Sequence, residues 1–509
     1  MIGTSLGEWI LIQVSILIFR YTPVIYALAL AVLYTVYDAD TVGAMQRIKT
    51  TLWGLLLAEA VFYCTIYFPY TQRLKEKAIH PEQLSYKERQ ALFQQCFTNV
   101  SDLKTYLHWW FLGAELDEIH RRNMEEFLLW AFFETEVEDL PADRRERDAV
   151  YEEIGEYIAA IEDKLDHHFA PGRGPAKSLR LTLDGVDTTY RSLLWYAIVF
   201  AIDVFTHAVL AWNGFQFYGR CTSSAAATFP PRPQELLGCR RSPAPEASYW
   251  YRAHGASNRP PIVFFHGIGL GMLIYIKFLV QLHAAKKDDG QGGVGIIAIE
   301  LMPVTFRLTS QPYRKRDLLQ QVSGILQHHK WDEFSIVSHS FGSVPTTHML
   351  QSPALRRRVH SVVLVDPVTI LLHLPHVAYN FTRRRPREAN EWQLWYFAST
   401  DPQVARCLGR HFFWRENILW KEELMTLTSA GARNEDGTRK VTVCLAGKDI
   451  IVDAAAVAQY LSDDASSGRG GIDVLWFPKL DHAQVFDSPT DYKKIIDRIV
   501  GGGDRDGGE

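Results

Sequence analysis

Cysteine is scarce and scattered: six in 509 residues (Cys64, Cys96, Cys221, Cys239, Cys407, Cys444), with no Cys-x-x-Cys and no neighbouring His pair. That excludes a zinc ribbon and a small disulfide-stapled fold. Cys221 and Cys239, on either side of a proline-containing stretch, are the one pair placed to bridge in an oxidising compartment. A surplus of positive charge is missing too. The 54 basic and 58 acidic side chains leave −4 at neutral pH, so no global field holds nucleic acid. The first eight residues hold no Lys or Arg, and the apolar zone that follows outruns a short signal core, so a cleaved secretory signal is not expected. What is present is 47% apolar and 22% charged residues, which excludes a mainly disordered or collagen-like chain. The 14 Trp, 22 Tyr and 27 Phe suit thick cores and lipid-contacting surfaces. The length implies two or three domains.

The apolar residues are unevenly spread. Trp9 to Tyr37 carries one charge, Arg20, and Leu52 to Tyr70 again one, Glu59. A bilayer core takes ~20 apolar residues as helix, so residues 1–80 read as a membrane hairpin, against two buried soluble helices. Arg73, Lys75 and Lys77 put the end of the second run on the cytoplasmic side, in an intracellular membrane such as the endoplasmic reticulum. Residues 81–220 turn polar and helical; Asn123–Phe133 has the acidic start and broad apolar face of a packed amphipathic helix. This region ends in a third long apolar run, 193–212, carrying Asp203 and His207 on one helical face. Ionisable groups are costly in lipid, so that face should meet protein or water, as a packed helix with an Asp–His contact or as the lining of a substrate path. Residues 221–248, rich in Ser, Ala, Pro and Arg, read as a linker. The glycine-rich acidic residues 501–509 read as a disordered tail.

From Tyr249 the pattern changes to short apolar runs separated by helix-length segments. Candidate strands are Pro261–Phe265, Val294–Glu300, Phe334–Val337, Ser361–Val365, Val441–Leu445 and Asp473–Phe477, with helical stretches at Met272–Ala285 and Arg316–His329. Such alternation implies a parallel sheet covered on both faces. Ligands then lie beyond the C-terminal ends of the strands, and reactive side chains should follow strands.

They do. Phe334–Val337 runs into Ser338-His-Ser-Phe-Gly342 and a helical stretch, the setting of a serine on a sharp strand-to-helix turn. Ser340 is the candidate nucleophile, and Ser338 stands where glycine is usual in G-x-S-x-G. Pro261–Phe265 ends in His266-Gly-Ile-Gly269, whose backbone can turn an N–H toward a reacting carbonyl. With the N–H of Phe341 that makes an oxyanion hole, with Ile268 as the loop donor and Gly267 its rival. A serine needs a base that is itself oriented. His482 follows the last strand; His339 and His266 read as support. Asp449 comes first after Val441–Leu445, with Asp453, a candidate helix cap, and Asp366 as alternatives.

HGIG, SHSFGS, LVDP, AGKDIIVD and DHAQVF occur in that order. On these motifs residues 249–500 resemble the α/β-hydrolase superfamily, and the apolar half before them is similar to membrane-associated hydrolase-like proteins of lower eukaryotes. The resemblance implies a mostly parallel eight-stranded sheet with helices on both faces, preceded here by an all-α membrane-associated region. It also implies a Ser340–Asp449–His482 triad working through an acyl-enzyme, without metal or organic cofactor. Residues 368–440 fall where this fold inserts a lid; Arg383–Arg387 and the aromatic 392–397 and 411–414 stretches could meet anionic headgroups and lipid. Asn99 and Asn380 open glycosylation sequons. The expected activity is hydrolysis of carboxylic esters of lipids or other apolar molecules, with acyl transfer by the same triad, or a catalytically silent scaffold, as the alternatives.

Overall fold

Eight strands form one sheet in the order β1-β2-β4-β3-β5-β6-β7-β8. The computed structural model describes residues 2–36, 43–257, 259–285, 292–429, 440–462 and 471–500; the expected tail lies outside them. β3 (Ile262–Phe265), β4 (Ile296–Ile299), β5 (Phe334–His339), β6 (Val359–Val365), β7 (Val441–Ala446) and β8 (Asp473–Phe477) run parallel to one another. The inner ones are built from Ile, Val and Phe, and β3, β4, β5 and β7 are buried at every position, as strands covered on both faces must be. β1 (Gln216–Tyr218) and β2 (Tyr249–Arg252) join antiparallel at one edge. Neither was among the candidate strands, because three or four residues cannot establish an alternation.

Residues 221–248, read as a linker, run between these two paired strands and hold short helices at Thr222–Ala226 and Pro233–Leu236. Their arginine and proline content suggests coil, yet Arg232 and Glu235 are fully buried. Arg220 forks onto Glu235 (2.8 and 2.6 Å) and Arg232 joins Asp203 (2.9 Å) to Glu300 (2.7 and 3.0 Å). Arg307 closes the cluster on Asp203 at 2.7 Å. Cys221 and Cys239 are both free, and the Cys221 thiol rests on the hydroxyls of Ser223 and Ser224.

The front half begins with α1 (Leu6–Val36) and α2 (Ala44–Phe62), which pack on each other. α3 (Leu103–Trp110) and α4 (Arg121–Phe133) build a second core around Leu107, Trp110, Phe127 and Trp130. The third apolar run is α5 (Leu193–Trp212). Two residues that look out of place in the apolar runs are explained by its N-terminus. Pro23 has no N–H to give the carbonyl four residues back, and the freed Phe19 carbonyl accepts the N–H of Ser192 at 3.3 Å. Glu59, buried, accepts the N–H of Leu193 at 3.0 and 3.1 Å and the hydroxyl of Tyr190. Orphan donors of a helix start are thus met by the two helices it docks on.

α1, the helix beginning at α2, and α5 are all long and apolar enough to cross a membrane. Connectivity separates them. The segment before α5 and the α/β region after it are packed together: Trp414 Nε1 donates to Ala131 at 3.0 Å, Trp110 Nε1 to His373 at 3.2 Å, and Arg415 pairs with Glu134 at 2.5 Å. α5 starts and ends on that one packed body. Along it α5 buries Trp195, Tyr196, Val199 and Leu210 against that body, the two aliphatic ones worth about 1.5–3 kcal/mol each. Asp203 meets Arg232 and Arg307 rather than His207, which lies against the Trp250 and Phe217 rings. Apolar faces remain open on α1 (Leu11, Val14, Leu17, Leu28, Val32), α2 (Trp53, Leu57) and α5 (Phe205, Trp212).

Between β6 and β7 lies a helical excursion whose first helix is α7 (Pro375–Thr382), after α6 (Ser343–Gln351). The basic stretch within it is partly spoken for. Arg383 pairs with Asp184 (3.4 Å) and Arg384 with Glu391 (3.4 Å), while Arg385 and Arg387 are exposed. Its aromatics close on α1, Phe397 against Phe19 and Tyr396 against Ile12 and Ile16. Asn380, the second sequon, donates to the Ile451 carbonyl at 3.0 Å.

Candidate active site

β5 ends at His339 and the chain turns at once into the helix leading to α6, which forces Ser340 to φ +52°. A non-glycine residue in that region is held there by its surroundings. The crowding is measurable at Gly342, where a Cβ would lie 2.4 Å from the Phe265 carbonyl oxygen. Gly267 is confined likewise, its absent Cβ falling 2.8 Å from His339 Nδ1 and 2.9 Å from Ser340 Cβ. Ser338, in the first small position, is buried, so a hydroxymethyl group is accommodated there.

The three side chains named from sequence come together. His482 Nε2 lies 2.8 Å from Ser340 Oγ, and His482 Nδ1 2.7 Å from Asp449 Oδ2. Nδ1 facing a carboxylate carries the proton and donates it, so Nε2 is free to accept from the hydroxyl. Asp449 Oδ1 accepts the N–H groups of Ile451 (2.7 Å) and Val452 (2.9 Å), which fixes the carboxylate and points its other oxygen at the imidazole. Burial works against a charge on His482, but the adjoining Asp449 carboxylate outweighs it and raises the imidazole above its ordinary value.

The alternatives are engaged elsewhere. Asp453 accepts the Ala456 N–H at 3.0 Å as a helix cap. Asp366 accepts from Ala446 (2.9 Å) and Ala483 (3.0 Å), which ties the loop bearing Asp449 to the loop bearing His482. Burial, then the neighbouring Asp449, pushes the Asp366 carboxyl up. Asp366, Asp449 and His482 offer polar atoms within 4.8 Å of one another, but both imidazole nitrogens are already committed, so the set does not suit a metal. His339 turns away from the hydroxyl and receives the Tyr275 hydroxyl at 2.7 Å on Nδ1. His266 accepts the Leu301 N–H at 2.8 Å and donates to the Gly267 carbonyl at 2.7 Å, bracing the glycine loop. Burial lowers it to about 4, which keeps it neutral for that double role.

Gly267 drops out as an oxyanion donor, because its N–H goes to Tyr275 Oη at 3.0 Å. Ile268 and Phe341 remain, and both line the cavity at Ser340. Tyr275 had no signal in the sequence; it is one tyrosine among 22. Nor had the part of the cavity lining supplied by Trp110, Trp130 and Leu181, from the helical region read as packed amphipathic helix.

Residues 260–456 match the family model described as alpha/beta hydrolase fold. The fold is that of an α/β hydrolase. Among curated proteins none matches the chain. Similar solved structures include a carboxylesterase of the thaumarchaeon Nitrososphaera gargenis (16% identity, 50% of this chain and 94% of that one, TM-score 0.33). A putative lipase from Acinetobacter baumannii has 12% identity over 59% of this chain and 94% of its own, with TM-score 0.35. Naproxen esterase from Bacillus subtilis has 15% identity over 50% of this chain and 87% of its own, with TM-score 0.31. In this α/β-hydrolase fold the serine turn and the histidine and aspartate loops all lie at the C-terminal ends of their strands, β5, β8 and β7.

Proposed function

We propose that the chain is a membrane-associated serine hydrolase that cleaves carboxylic esters of apolar molecules through an acyl-enzyme. The observation that carries the reading is the unbroken line of hydrogen bonds from Ser340 Oγ through His482 to Asp449. Ser340 Oγ attacks the ester carbonyl carbon as its proton passes to His482 Nε2. The carbonyl electrons move onto oxygen, where the Ile268 and Phe341 N–H groups hold the charge. Asp449 stabilises the imidazolium and keeps its tautomer. Collapse breaks the bond to the alcohol, which takes the proton from His482. Water, deprotonated by the same nitrogen, then releases the acid and restores Ser340. The open apolar faces of α1 and α2 support membrane association through that helix pair.

The test is covalent labelling by a fluorophosphonate probe in membranes that hold the full chain. Wild type is expected to label and Ser340→Ala to stay unlabelled while remaining in the membrane fraction. Labelling of Ser340→Ala at the wild-type rate would falsify the nucleophile.

A further inference from the structure

The acyl group left on Ser340 must fit whatever space adjoins its Oγ, and here that space is small and lined in part by a region outside the α/β fold. The cavity measures about 50 Å³ and is lined by Ser340, Ile268 and Phe341 together with Trp110 and Trp130. No charged side chain lines it among the described residues. One water-sized sphere takes ~10–15 Å³, so the cavity holds about four such spheres and fewer of the bulkier methylenes. The two indoles are pinned. Trp110 Nε1 donates to the His373 carbonyl and Trp130 Nε1 to Thr182 Oγ1, both at 3.2 Å, and their rings meet at 5.3 Å. Each ring is 4% exposed, so neither has solvent to swing into. Ala378 of α7 also lines the cavity.

We propose that Trp110 and Trp130 are specificity-determining residues that stop the acyl site of Ser340, making short-chain acyl esters the substrate class. The proposal rests on Ser340 forming the acyl-enzyme. It gives the front helical region a part in selectivity: its buried face is the end wall of the acyl site.

The experiment measures kcat/KM of the full-length protein in detergent for p-nitrophenyl acetate, butyrate, octanoate and palmitate, with fluorophosphonate labelling of every variant in parallel. Wild type should favour butyrate over palmitate by about a hundredfold or more, the discrimination a closed apolar pocket achieves over several methylenes. Trp110→Ala and Trp130→Ala should each raise the octanoate-to-butyrate ratio about tenfold. Ala378→Leu, which fills space, should move selectivity the other way, toward acetate. If a tryptophan variant no longer labels, its fold is lost and Ala378→Leu decides. Wild type preferring palmitate, or labelled variants with unchanged chain-length ratios, overturns the proposal and leaves the nucleophile standing. Failure of wild type itself to label strikes the underlying reading instead.

Discussion

Two buried polar clusters in this molecule each gather three carboxylates and do opposite things. Where α5 docks, Asp203, Glu235 and Glu300 face Arg220, Arg232 and Arg307. Every acid there has a guanidinium, and the fork geometry leaves little to exchange. At the C-terminal rim of the sheet, Asp366, Asp449 and Asp481 gather around one imidazole, His482. Those charges cannot balance: the imidazole is raised and Asp366 is pushed up. A balanced buried cluster acts as a staple, whereas an unbalanced one holds a proton that can be moved. The difference lies in who neighbours whom.

The largest test of that contrast removes the group the rim cluster serves. Ser340→Ala should lower ester turnover by about 10⁶, as loss of a triad nucleophile does, with the thermal midpoint unchanged to within a degree or two; an equal loss of stability would mean the rim too is a staple. Asp449→Asn should cost about 10⁴ in kcat. It should also move the pH profile. His482 must be neutral to take the serine proton, so activity rises with pH through its pKa, and wild type should have its midpoint above the ordinary imidazole value of about 6.5. Without the Asp449 carboxylate the midpoint should fall; an unmoved midpoint in residual kcat/KM would show that Asp449 does not set it.

On the staple side, Asp203→Asn strips a partner from Arg232 and Arg307. Breaking such a buried pair costs about 3–5 kcal/mol, seen as a lowered denaturant or thermal midpoint, while labelling of the folded fraction stays normal. Unchanged stability would make the cluster ornamental. The smallest effect is expected of Ser338→Gly, which restores the glycine usual at that place and removes a buried hydroxyl that has no partner among the described residues. A lost partnerless hydroxyl and an added strand glycine oppose each other, so stability should move by no more than about 1 kcal/mol and labelling not at all.

Ser340, Asp449 and His482 could be read from the chain because each follows its own strand within a few residues, and a parallel sheet brings such positions to one rim. The choice among Asp449, Asp453 and Asp366 could not be closed that way. All three follow β6 or β7, and what separates them is the contact of Asp449 with His482 and the committed hydrogen bonds of the last two. Gly267 and Ile268 are adjacent in sequence and differ in whether Tyr275 has claimed the N–H. Glu59 reads in the sequence only as the one charge of the second apolar run; its role, like that of Pro23, appears only where α5 begins.

Local pattern determined the apolar front, the strand-helix alternation behind it and the order of the reactive groups, because periodicity and turn chemistry act over a few neighbouring residues. Tertiary structure decided which apolar helix docks on protein, which carboxylate faces the imidazole, and which indoles line the cavity at Ser340. Those outcomes depend on contacts between residues as far apart as Trp110 and Ser340. No window along the chain contains both partners.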